Sequence, residues 1–388
     1  MDTHGIMEIE ARHSSGVYAK RDLVITHGKG ALLYDAEGRE YIDCVGGQGA
    51  ANLGHAHPKI SEAIHKQSKK MISCPEMFYI QTRSDFMLQL CAIAPKGLKY
   101  VFFGNSGTEA VEAALKFVRY STGRREIIAA MRGFHGRSMG SLSATWNRHY
   151  REPFEPLVPD FRHVPYNKID KLEAAISNKT AAVLLEVVQG EGGVHPASSD
   201  YLAHAQKLCK KHSAMLIIDE VQTGFGRTGK LFACEHYNLQ PDLLCLGKSI
   251  AGGVPMGAVL ISEKIGKLSP GIHGSTFGGN PLACAAGLAA LQVQKEEKLP
   301  ERAAALGSML LTQLRGIDSP LIREVRGLGL MVGVELKQKS SPYIKGLTER
   351  GILTLPAGMN VIRLLPPLVI GQDQLDQVVS ALEEVLAK

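Results

Sequence analysis

The sequence predicts an α/β fold, in which a mostly parallel sheet is flanked by helices and joined to a smaller α+β domain. Short apolar runs alternate with helical segments through the middle of the chain. The runs at 181–188, 215–218 and 243–246 contain almost no polar residues, as is typical of strands buried on both faces. Beyond about residue 281, helices dominate around a few strands. We therefore predict a large domain at 49–281 and a small domain at 282–388, which the N-terminal segment 1–48 joins.

The start of the chain carries signals for a short helix and a hairpin. Strands at 31–34 and 40–45 flank a polar turn, which predicts an antiparallel pair. A glycine-rich turn at 46–58 leads into a helix at about 58–71. His55 and His57 lie in this turn without cysteine or carboxylate neighbours, so we predict no metal site there.

The segment 100–120 predicts a strand, a glycine turn and the start of a helix. The strand at 100–104 runs into Gly107, and the helix spans roughly 108–120. Free backbone N–H groups and the positive end of the helix dipole favour an anion at such a point, so Gly107 and Thr108 could cradle a phosphate. The alternative is a plain N-cap, which Ser106 or Thr108 could provide.

The next strand, at 127–131, is followed by Phe134 and Arg137. An aromatic ring at the carboxyl end of a strand can stack on a planar ligand, or it can belong to the core. Arg137, set among small residues, could clamp a carboxylate with its planar fork, or it could lie on the surface.

The segment 151–180 is rich in proline and irregular until a helix near 169–177. The strand at 181–188 then carries Glu186 in an otherwise apolar run. A charge buried there needs a partner. A glycine-rich turn at 189–193 and a helix at 199–212 follow.

The stretch 215–253 carries the strongest chemical signal. The strand at 215–218 ends in Asp219, and the strand at 243–246 is followed by Lys248, 29 residues later. If the strands are parallel neighbours, both side chains lie at the carboxyl edge of one sheet, where ligands of α/β proteins bind. An acid and an amine among glycines at that edge suggest pyridoxal phosphate (PLP), whose aldehyde Lys248 would bind covalently while Asp219 keeps the pyridine nitrogen protonated.

Three alternatives compete for this stretch. Lys248 could be an ordinary solvated lysine. A phosphate-binding P-loop would need glycine at position 242, where the chain has Asp242. The glycines at 224, 226 and 229 fit a dinucleotide-binding pattern after a strand, which would indicate a nicotinamide enzyme.

The tail predicts a compact α+β unit. We expect a strand at 258–261, helices at 281–294 and near 298–316, a strand at 330–336, a helix near 341–350, a strand at 361–364 and a helix at 372–387. Arg363 lies in the last of these strands.

Composition narrows the class of protein. The chain has 388 residues, of which 45% are hydrophobic and 21% charged, with a net charge of +6. No basic run suggests a nucleic-acid arm, so an anionic substrate or acidic partner is favoured. No apolar run approaches the ~20 residues of a membrane span, and the N-terminus does not read as a signal peptide. The seven scattered cysteines predict reduced thiols in a cytoplasmic protein, without disulfides or zinc.

Taken together, these segments resemble a fold-type I, class III PLP-dependent aminotransferase along nearly the whole chain. The markers are LGHAHP (53–58), NSGTEA (105–110), GFHGR (133–137), EVVQGEGG (186–193), DEVQTGFGRTG (219–229), LGKSIAGGVPMGA (246–258) and STFGGNPLA (275–283). Val187 departs from the pattern, since the family usually has proline after this glutamate.

The resemblance implies a role for each residue of the cofactor site. Lys248 would be the catalytic lysine and would move the proton between substrate and cofactor. Asp219 would pair with the pyridine N–H. The ring would lie between Val221 and Phe134, and Gln222 would face its 3′-oxygen. Gly107 and Thr108 would hold the phosphate, together with Thr276 from a second subunit of a homodimer.

The resemblance also implies the substrate contacts. Arg363 would bind the α-carboxylate of glutamate, and Arg137 its side-chain carboxylate. Glu191 would be a switch that covers Arg363 when an ω-amine is bound. The remaining substrate-binding candidates are Tyr18, Glu186 and Ser275.

Within the family, the chain is similar to acetylornithine aminotransferases and more so to the variant of the 2-aminoadipate lysine pathway. The stretches ARHSSGVY (11–18) and IREVRGLGLMVGVELK (322–337) are among those that carry this impression. That variant aminates a semialdehyde tethered to a small acidic carrier protein, with glutamate as donor. A net charge of +6 suits such a carrier. Acetylornithine as substrate, or activity on both, remains the alternative.

Overall fold

The computed structural model describes residues 2–387. Its helices are α1 Thr3–His13, α2 Gly46–Gly49, α3 Pro58–Ser68, α4 Gln81–Ile93, α5 Gly107–Thr122, α6 Met139–Ala144, α7 Arg148–Arg151, α8 Ile169–Ala175, α9 Ser199–His212, α10 Pro281–Glu296, α11 Leu299–Arg315, α12 Ser341–Glu349 and α13 Gln372–Leu386. Short 3₁₀ helices occupy Glu152–Phe154, Ala233–Tyr237 and Lys248–Ala251.

The strands are β1 Ile25–Lys29, β2 Leu32–Asp35, β3 Glu40–Asp43, β4 Leu98–Gly104, β5 Glu126–Ala130, β6 Phe161–Val164, β7 Thr180–Glu186, β8 Val188–Gln189, β9 His195–Pro196, β10 Met215–Asp219, β11 Leu243–Leu246, β12 Gly257–Ser262, β13 Ile322–Leu328, β14 Met331–Leu336, β15 Ile352–Leu353, β16 Leu355–Ala357 and β17 Val361–Leu364.

A seven-stranded sheet in the order β4-β12-β11-β10-β7-β5-β6 forms the centre of the molecule. Its strands are parallel except for β12, which runs antiparallel to both of its neighbours. This confirms the predicted α/β fold and the predicted parallel pairing of β10 with β11. The connection between those two strands carries only the 3₁₀ helix Ala233–Tyr237.

Two smaller four-stranded sheets and a two-stranded hairpin complete the fold. The first has the order β1-β2-β3-β15, so the N-terminal segment pairs with a strand from the C-terminal part of the chain. The second has the order β13-β14-β17-β16 and carries Arg363 on β17. The hairpin pairs β8 with β9. The domain limits at residues 48 and 281 stay predictions.

Burial and capping explain why the central elements form where they do. Every residue of β7 and β11 is buried, in agreement with their apolar sequences. Helix α5 buries an apolar face and ends at Gly123, whose φ of 66° suits glycine. Helix α10 begins at Pro281, and the Asn280 side chain caps it by accepting from Ala283 N. No helix between residues 2 and 387 is long and apolar enough to cross a membrane.

Four sizeable elements have no counterpart in the predictions from sequence: β1, α4, β6 and β13. β1 is mostly exposed and polar, β6 lies at the sheet edge, and β13 is half exposed, so none shows a continuous apolar run. The predicted helix at 58–71 is shorter in the structure, because α3 ends at Ser68.

Three backbone segments meet closely between the central sheet and the β13-β14-β17-β16 sheet. A Cβ on Gly307 of α11 would lie 2.1 Å from Gly329 O, and a Cβ on Gly329 would lie 2.7 Å from Arg227 O. The buried Arg227 guanidinium fixes the junction, because its Nη1 donates to Leu330 O at 2.9 Å and Pro366 O at 2.5 Å. Its Nη2 donates to Asn52 Oδ1 at 2.6 Å.

The substitution Gly307→Ala should therefore destabilise the protein. We expect the free energy of unfolding to fall by ~2–3 kcal/mol, because backbone has to move to admit the methyl group. Gly346→Ala in α12 is the matched control, since its Cβ would meet no backbone and its nearest neighbour would be Val385 Cγ1 at 3.3 Å. It should be neutral or stabilise by up to ~1 kcal/mol through helix propensity. Denaturant unfolding of both variants measures the difference, and equal effects would contradict the tight junction.

Candidate active site

A cavity of about 280 Å³ lies at the carboxyl edge of the central sheet. It collects ten of the residues proposed from sequence: Gly107, Thr108, Phe134, Arg137, Glu186, Glu191, Asp219, Val221, Gln222 and Lys248. Ser106, His135 and Gly136 complete its lining. Arg363 lies directly behind Glu191.

Both carboxylate oxygens of Asp219, at the end of β10, accept hydrogen bonds. Its Oδ2 accepts from Nδ1 of the buried His135 at 2.8 Å, and its Oδ1 accepts from Val221 N at 3.0 Å. Burial disfavours the charged imidazole, but the bond to Asp219 and the charges of Asp219 and Glu186 together raise the pKa of His135 above its usual value. The cavity therefore contains a carboxylate suited to facing a cationic ring nitrogen.

Glu186, at the end of β7, is the buried acid noted in the sequence. Its Oε1 accepts from Phe134 N and its Oε2 from Gly190 N, each at 3.0 Å. Burial first, and then the charge of Asp219, raise the pKa of Glu186 to about 7 against the opposing effect of His135. Because backbone N–H groups occupy both oxygens, the side chain ties together two loops of the cavity wall.

The start of α5 has the geometry of an anion site. The first N–H groups of a helix have no intrahelical partner, and Ser106 Oγ caps only that of Glu109, at 3.3 Å. Of the two N-caps considered from sequence, Ser106 is thus the one observed. The hydroxyl of Thr108 instead contacts Ser138 Oγ at 2.7 Å and Ser141 Oγ at 2.6 Å.

Glycines let the strand ends approach this helix. A Cβ on Gly107 would lie 2.5 Å from Val221 Cγ1, and one on Gly136 would lie 2.4 Å from Thr108 Oγ1. Gly136 also has a φ of 135°, which other residues rarely adopt. The close packing leaves no room for a side chain at either glycine.

Phe134 and Val221 both line the cavity, and Arg137 lies at its rim. The guanidinium carbon of Arg137 stands 3.6 Å from the centre of the Tyr150 ring and 5.7 Å from that of Phe134. Among residues 2–387 no carboxylate pairs with Arg137, so its planar fork is available to an anion.

Lys248 follows β11 and has a φ of 48°, in the left-handed region. Burial first of all lowers the pKa of Lys248 to about 8, and Arg363 adds to this, whereas Glu191 and Asp219 oppose it. The amine lines the cavity. It is therefore not the solvated surface lysine considered as an alternative.

Arg363 and Glu191 form an ion pair, with 2.6 Å between Nη1 and Oε1. Arg363 is only 2% exposed, and its Nε has no hydrogen-bond partner in the described part of the chain. Nη1 also donates to Gln222 Oε1 at 3.3 Å. Burial disfavours the Glu191 carboxylate, but Arg363 and then Lys248 hold the pKa of Glu191 below its usual value.

Besides Arg363, three proposed residues do not line the cavity. Tyr18 is 78% exposed in the N-terminal segment, and Thr276 is exposed on the loop before α10. Ser275 Oγ accepts from Asn105 Nδ2 at 3.0 Å and from Gly278 N at 3.0 Å. Their predicted contacts with cofactor or substrate therefore stay predictions.

Sequence reasoning did not assign a role to His135, although it stands inside the GFHGR motif between Phe134 and Arg137. Its signal was a polar residue in the loop after a buried strand, since β5 ends at Ala130. The glycines of the dinucleotide-like pattern are used otherwise. A Cβ on Gly226 would lie 2.9 Å from Gln294 Oε1, and one on Gly229 would lie 2.9 Å from Ala304.

The residues present fit PLP. The cavity offers a buried carboxylate for the ring nitrogen, a helix N-terminus for the phosphate and an amine of lowered pKa for the aldehyde. No cluster of three or more metal-ligating side chains occurs between residues 2 and 387.

The lowered pKa of Lys248 predicts how the protein without cofactor takes up PLP. Only the neutral amine attacks an aldehyde, so the rate of covalent binding should rise with pH around a midpoint near 8 and then level off. Stopped-flow measurement of visible absorbance across neutral and alkaline pH tests this. Glu191→Gln should shift the midpoint downward, because the Glu191 charge raises this pKa. A midpoint near 10.5, the ordinary lysine value, would contradict it.

Comparison with known proteins places these features in a family. The model of the family Aminotransferase class-III matches residues 15–386. The chain is 50% identical over 383 residues to the LysW-aminoadipate semialdehyde transaminase of Deinococcus radiodurans, covering 97% of this chain and 89% of that protein. It is 43% identical over 392 residues to the acetylornithine aminotransferase of Methanothermobacter thermautotrophicus, covering 100% of both.

The fold agrees with solved structures of the same kind. An ornithine aminotransferase from Toxoplasma gondii, which has partial occupancy of PLP at its active site, superimposes with a TM-score of 0.95. The two sequences are 33% identical, and the match covers 100% of this chain and 94% of that one. The chain therefore belongs to the class III aminotransferases, which are PLP-dependent enzymes of fold-type I.

Proposed function

We propose that the protein transfers the amino group of glutamate to a carrier-bound 2-aminoadipate semialdehyde, which gives carrier-bound lysine and 2-oxoglutarate. The observation that carries this proposal is the ion pair of Arg363 with Glu191 beside Lys248. While Glu191 covers Arg363, the pair presents no net charge to a substrate; once Glu191 leaves, Arg363 presents a positive charge. The 50% identity to the LysW-aminoadipate semialdehyde transaminase supports the choice of acceptor.

PLP, when bound, takes up the amino group of the donor and accepts the electron pair left on the carbon that loses its proton. The residues proposed to hold it are Asp219 at the ring nitrogen, Val221 and Phe134 on the two ring faces, and Gln222 near the 3′-oxygen. Gly107 and Thr108 bind the phosphate at the start of α5. His135 orients the Asp219 carboxylate by donating to its Oδ2.

Lys248 is the proposed acid and base. Its Nζ, with a pKa of about 8, keeps a usable neutral fraction near neutral pH. The neutral amine would take the proton from the amine-bearing carbon of the donor and hold it beside the site that PLP would occupy. The reverse transfer completes the second half of the reaction with the semialdehyde.

The two arginines distinguish the two substrates. Glutamate has a carboxylate next to its amine, and Arg363 binds that group once Glu191 leaves it. An ω-amine has no carboxylate there, so Glu191 stays on Arg363 and keeps the buried guanidinium paired. Arg137, stacked on Tyr150, binds the distal carboxylate. Tyr18, Glu186 and Ser275 are proposed to shape the substrate end of the site.

The active unit is proposed to be a homodimer with shared sites. Arg83 is buried and donates to Cys74 O, Phe78 O and Gly279 O, which joins two loops at the surface. These loops expose Met77 and Phe277, which are 79% and 58% accessible. Exposed apolar side chains on tied loops favour a protein contact.

Phe277→Asp should therefore separate the subunits. A charge in an apolar contact disfavours association, and we expect PLP affinity to fall by about tenfold, because Thr276 then no longer reaches the partner's phosphate site. Sedimentation and PLP titration measure both effects. Met359→Asp, at a site 74% exposed in the turn before β17, is the control and should change neither. A monomeric Phe277→Asp variant with unchanged PLP affinity would refute the shared site.

The acceptor is tested by comparing two substrates in the PLP-loaded enzyme with glutamate as donor. We expect a higher initial rate on the carrier-tethered semialdehyde than on a free N-acetylated semialdehyde. High salt should reduce this preference, since the net charge of +6 would attract an acidic carrier. Lys248→Ala is the control and should abolish turnover of both.

An equal or higher rate on free N-acetylglutamate semialdehyde would instead favour acetylornithine as the product. The 43% identity to an acetylornithine aminotransferase is the observation that favours this second candidate.

We propose a cytoplasmic location for the protein, which its seven free thiols support.

A further inference from the structure

The segment Gly190–Val194, here called the switch loop, forms the tip of the β8–β9 hairpin and carries Glu191. Three of its five residues are glycine, and Val194 has a φ of 55°, a strained value for a β-branched residue. Its internal hydrogen bonds are long, because Gly193 N and Val194 N both reach Gly190 O only at 3.4 Å. The loop therefore needs external contacts to keep one conformation.

Glu186 holds the start of the loop at Gly190 N, and Arg326 on β13 holds its other end. Arg326 Nε donates to Gly193 O and Val194 O, each at 3.0 Å, and its Nη2 donates to Gly193 O at 2.6 Å. Nη1 pairs with Glu324 at 2.7 Å and Glu335 at 2.6 Å. Arg326 is buried. The two carboxylates fix the guanidinium, and the guanidinium fixes the loop backbone.

Strand register places the two arginines in one row. Arg326 of β13 lies opposite Gly333 of β14, which lies opposite Arg363 of β17. Residues directly opposite each other in antiparallel strands point to the same face. A Cβ on Gly333 would lie 3.0 Å from Val194 Cβ, which shows that the switch loop crosses this row over the glycine.

The switch loop is thus held at both ends. Arg326 holds its backbone, and Arg363 holds the carboxylate of Glu191 at 2.6 Å. When the carboxylate leaves Arg363, the backbone contacts with Arg326 need not break. The side chain can then return to the same place, because the backbone that carries it has not moved.

We propose that Arg326 is a positioning residue that keeps Glu191 aligned over Arg363, and so sets the balance between ω-amine and glutamate substrates. This inference rests on the proposed switch role of Glu191. Loss of Arg326 loosens the end of the loop at Gly193 and Val194, so Glu191 covers Arg363 less often. The ω-amine half-reaction then suffers more than the glutamate half-reaction.

The test is single-turnover kinetics of the PLP-loaded enzyme with N-acetylornithine or glutamate, followed by visible absorbance. In Arg326→Gln we expect kcat/KM for N-acetylornithine, divided by that for glutamate, to fall by about tenfold, as for the loss of a charged hydrogen-bond anchor. Arg323→Gln is the matched control. Arg323 also pairs with Glu335, at 3.1 Å, but has no hydrogen bond to the switch loop. Its ratio should stay within about twofold of the wild type.

Two further variants keep the outcomes distinct. Gly333→Ala should lower the same ratio by pressing on Val194, and it serves where Arg326→Gln fails to fold. Glu191→Gln should shift the ratio in the same direction. Equal losses in both half-reactions of Arg326→Gln, or a shift in Glu191→Gln alone, would overturn the positioning role. No shift in Glu191→Gln would overturn the switch itself, and a wild-type enzyme inactive with both amines would overturn the proposed function.

Discussion

One histidine between two carboxylates organises the site. The parallel pairing of β10 with β7 sets Asp219 directly beside Glu186 at the ends of neighbouring strands. Two ionised acids so close, and both buried, would repel each other strongly. His135 donates to Asp219, and backbone N–H groups donate to both oxygens of Glu186, so each of the two buried acids has hydrogen-bond partners of its own. The Asp219 charge can then act on whatever lies in the cavity.

The same edge depends on backbone segments that approach without side chains between them. Gly107, Gly136 and Gly247 lie where the start of α5, the loop after β5 and the loop after β11 converge. A methyl group at any of them would meet another segment at 3.0 Å or less. The loops at this sheet edge must therefore both pair the buried charges and pack closely against each other. This explains why most of the site lies in a few glycine-rich loops.

Much of this arrangement follows from patterns that a sequence displays. Continuous apolar runs predicted β7, β10 and β11, and acids or amines directly after such runs predicted Asp219 and Lys248. The strands β1, β6 and β13 escaped prediction because they are exposed or lie at sheet edges, where solvent removes the apolar pattern. His135 was missed because its role depends on Asp219, 84 residues later. The alignment of Arg326 with Arg363 depends on strand register, which no local pattern reveals.

The buried Arg227 has a consequence for how a large substrate reaches the cavity. Its guanidinium joins Asn52, Leu330 and Pro366, and Asn52 in turn donates to Ser249 Oγ, next to Lys248. These hydrogen bonds connect the segment that carries Lys248 to the sheet that carries Arg363. A hinge motion between them would leave the buried Arg227 guanidinium without its hydrogen-bond partners. A substrate on a macromolecule must then extend a slender arm into a cavity of fixed shape. The enzyme would therefore discriminate between macromolecular substrates by the length of the arm that projects from their surface.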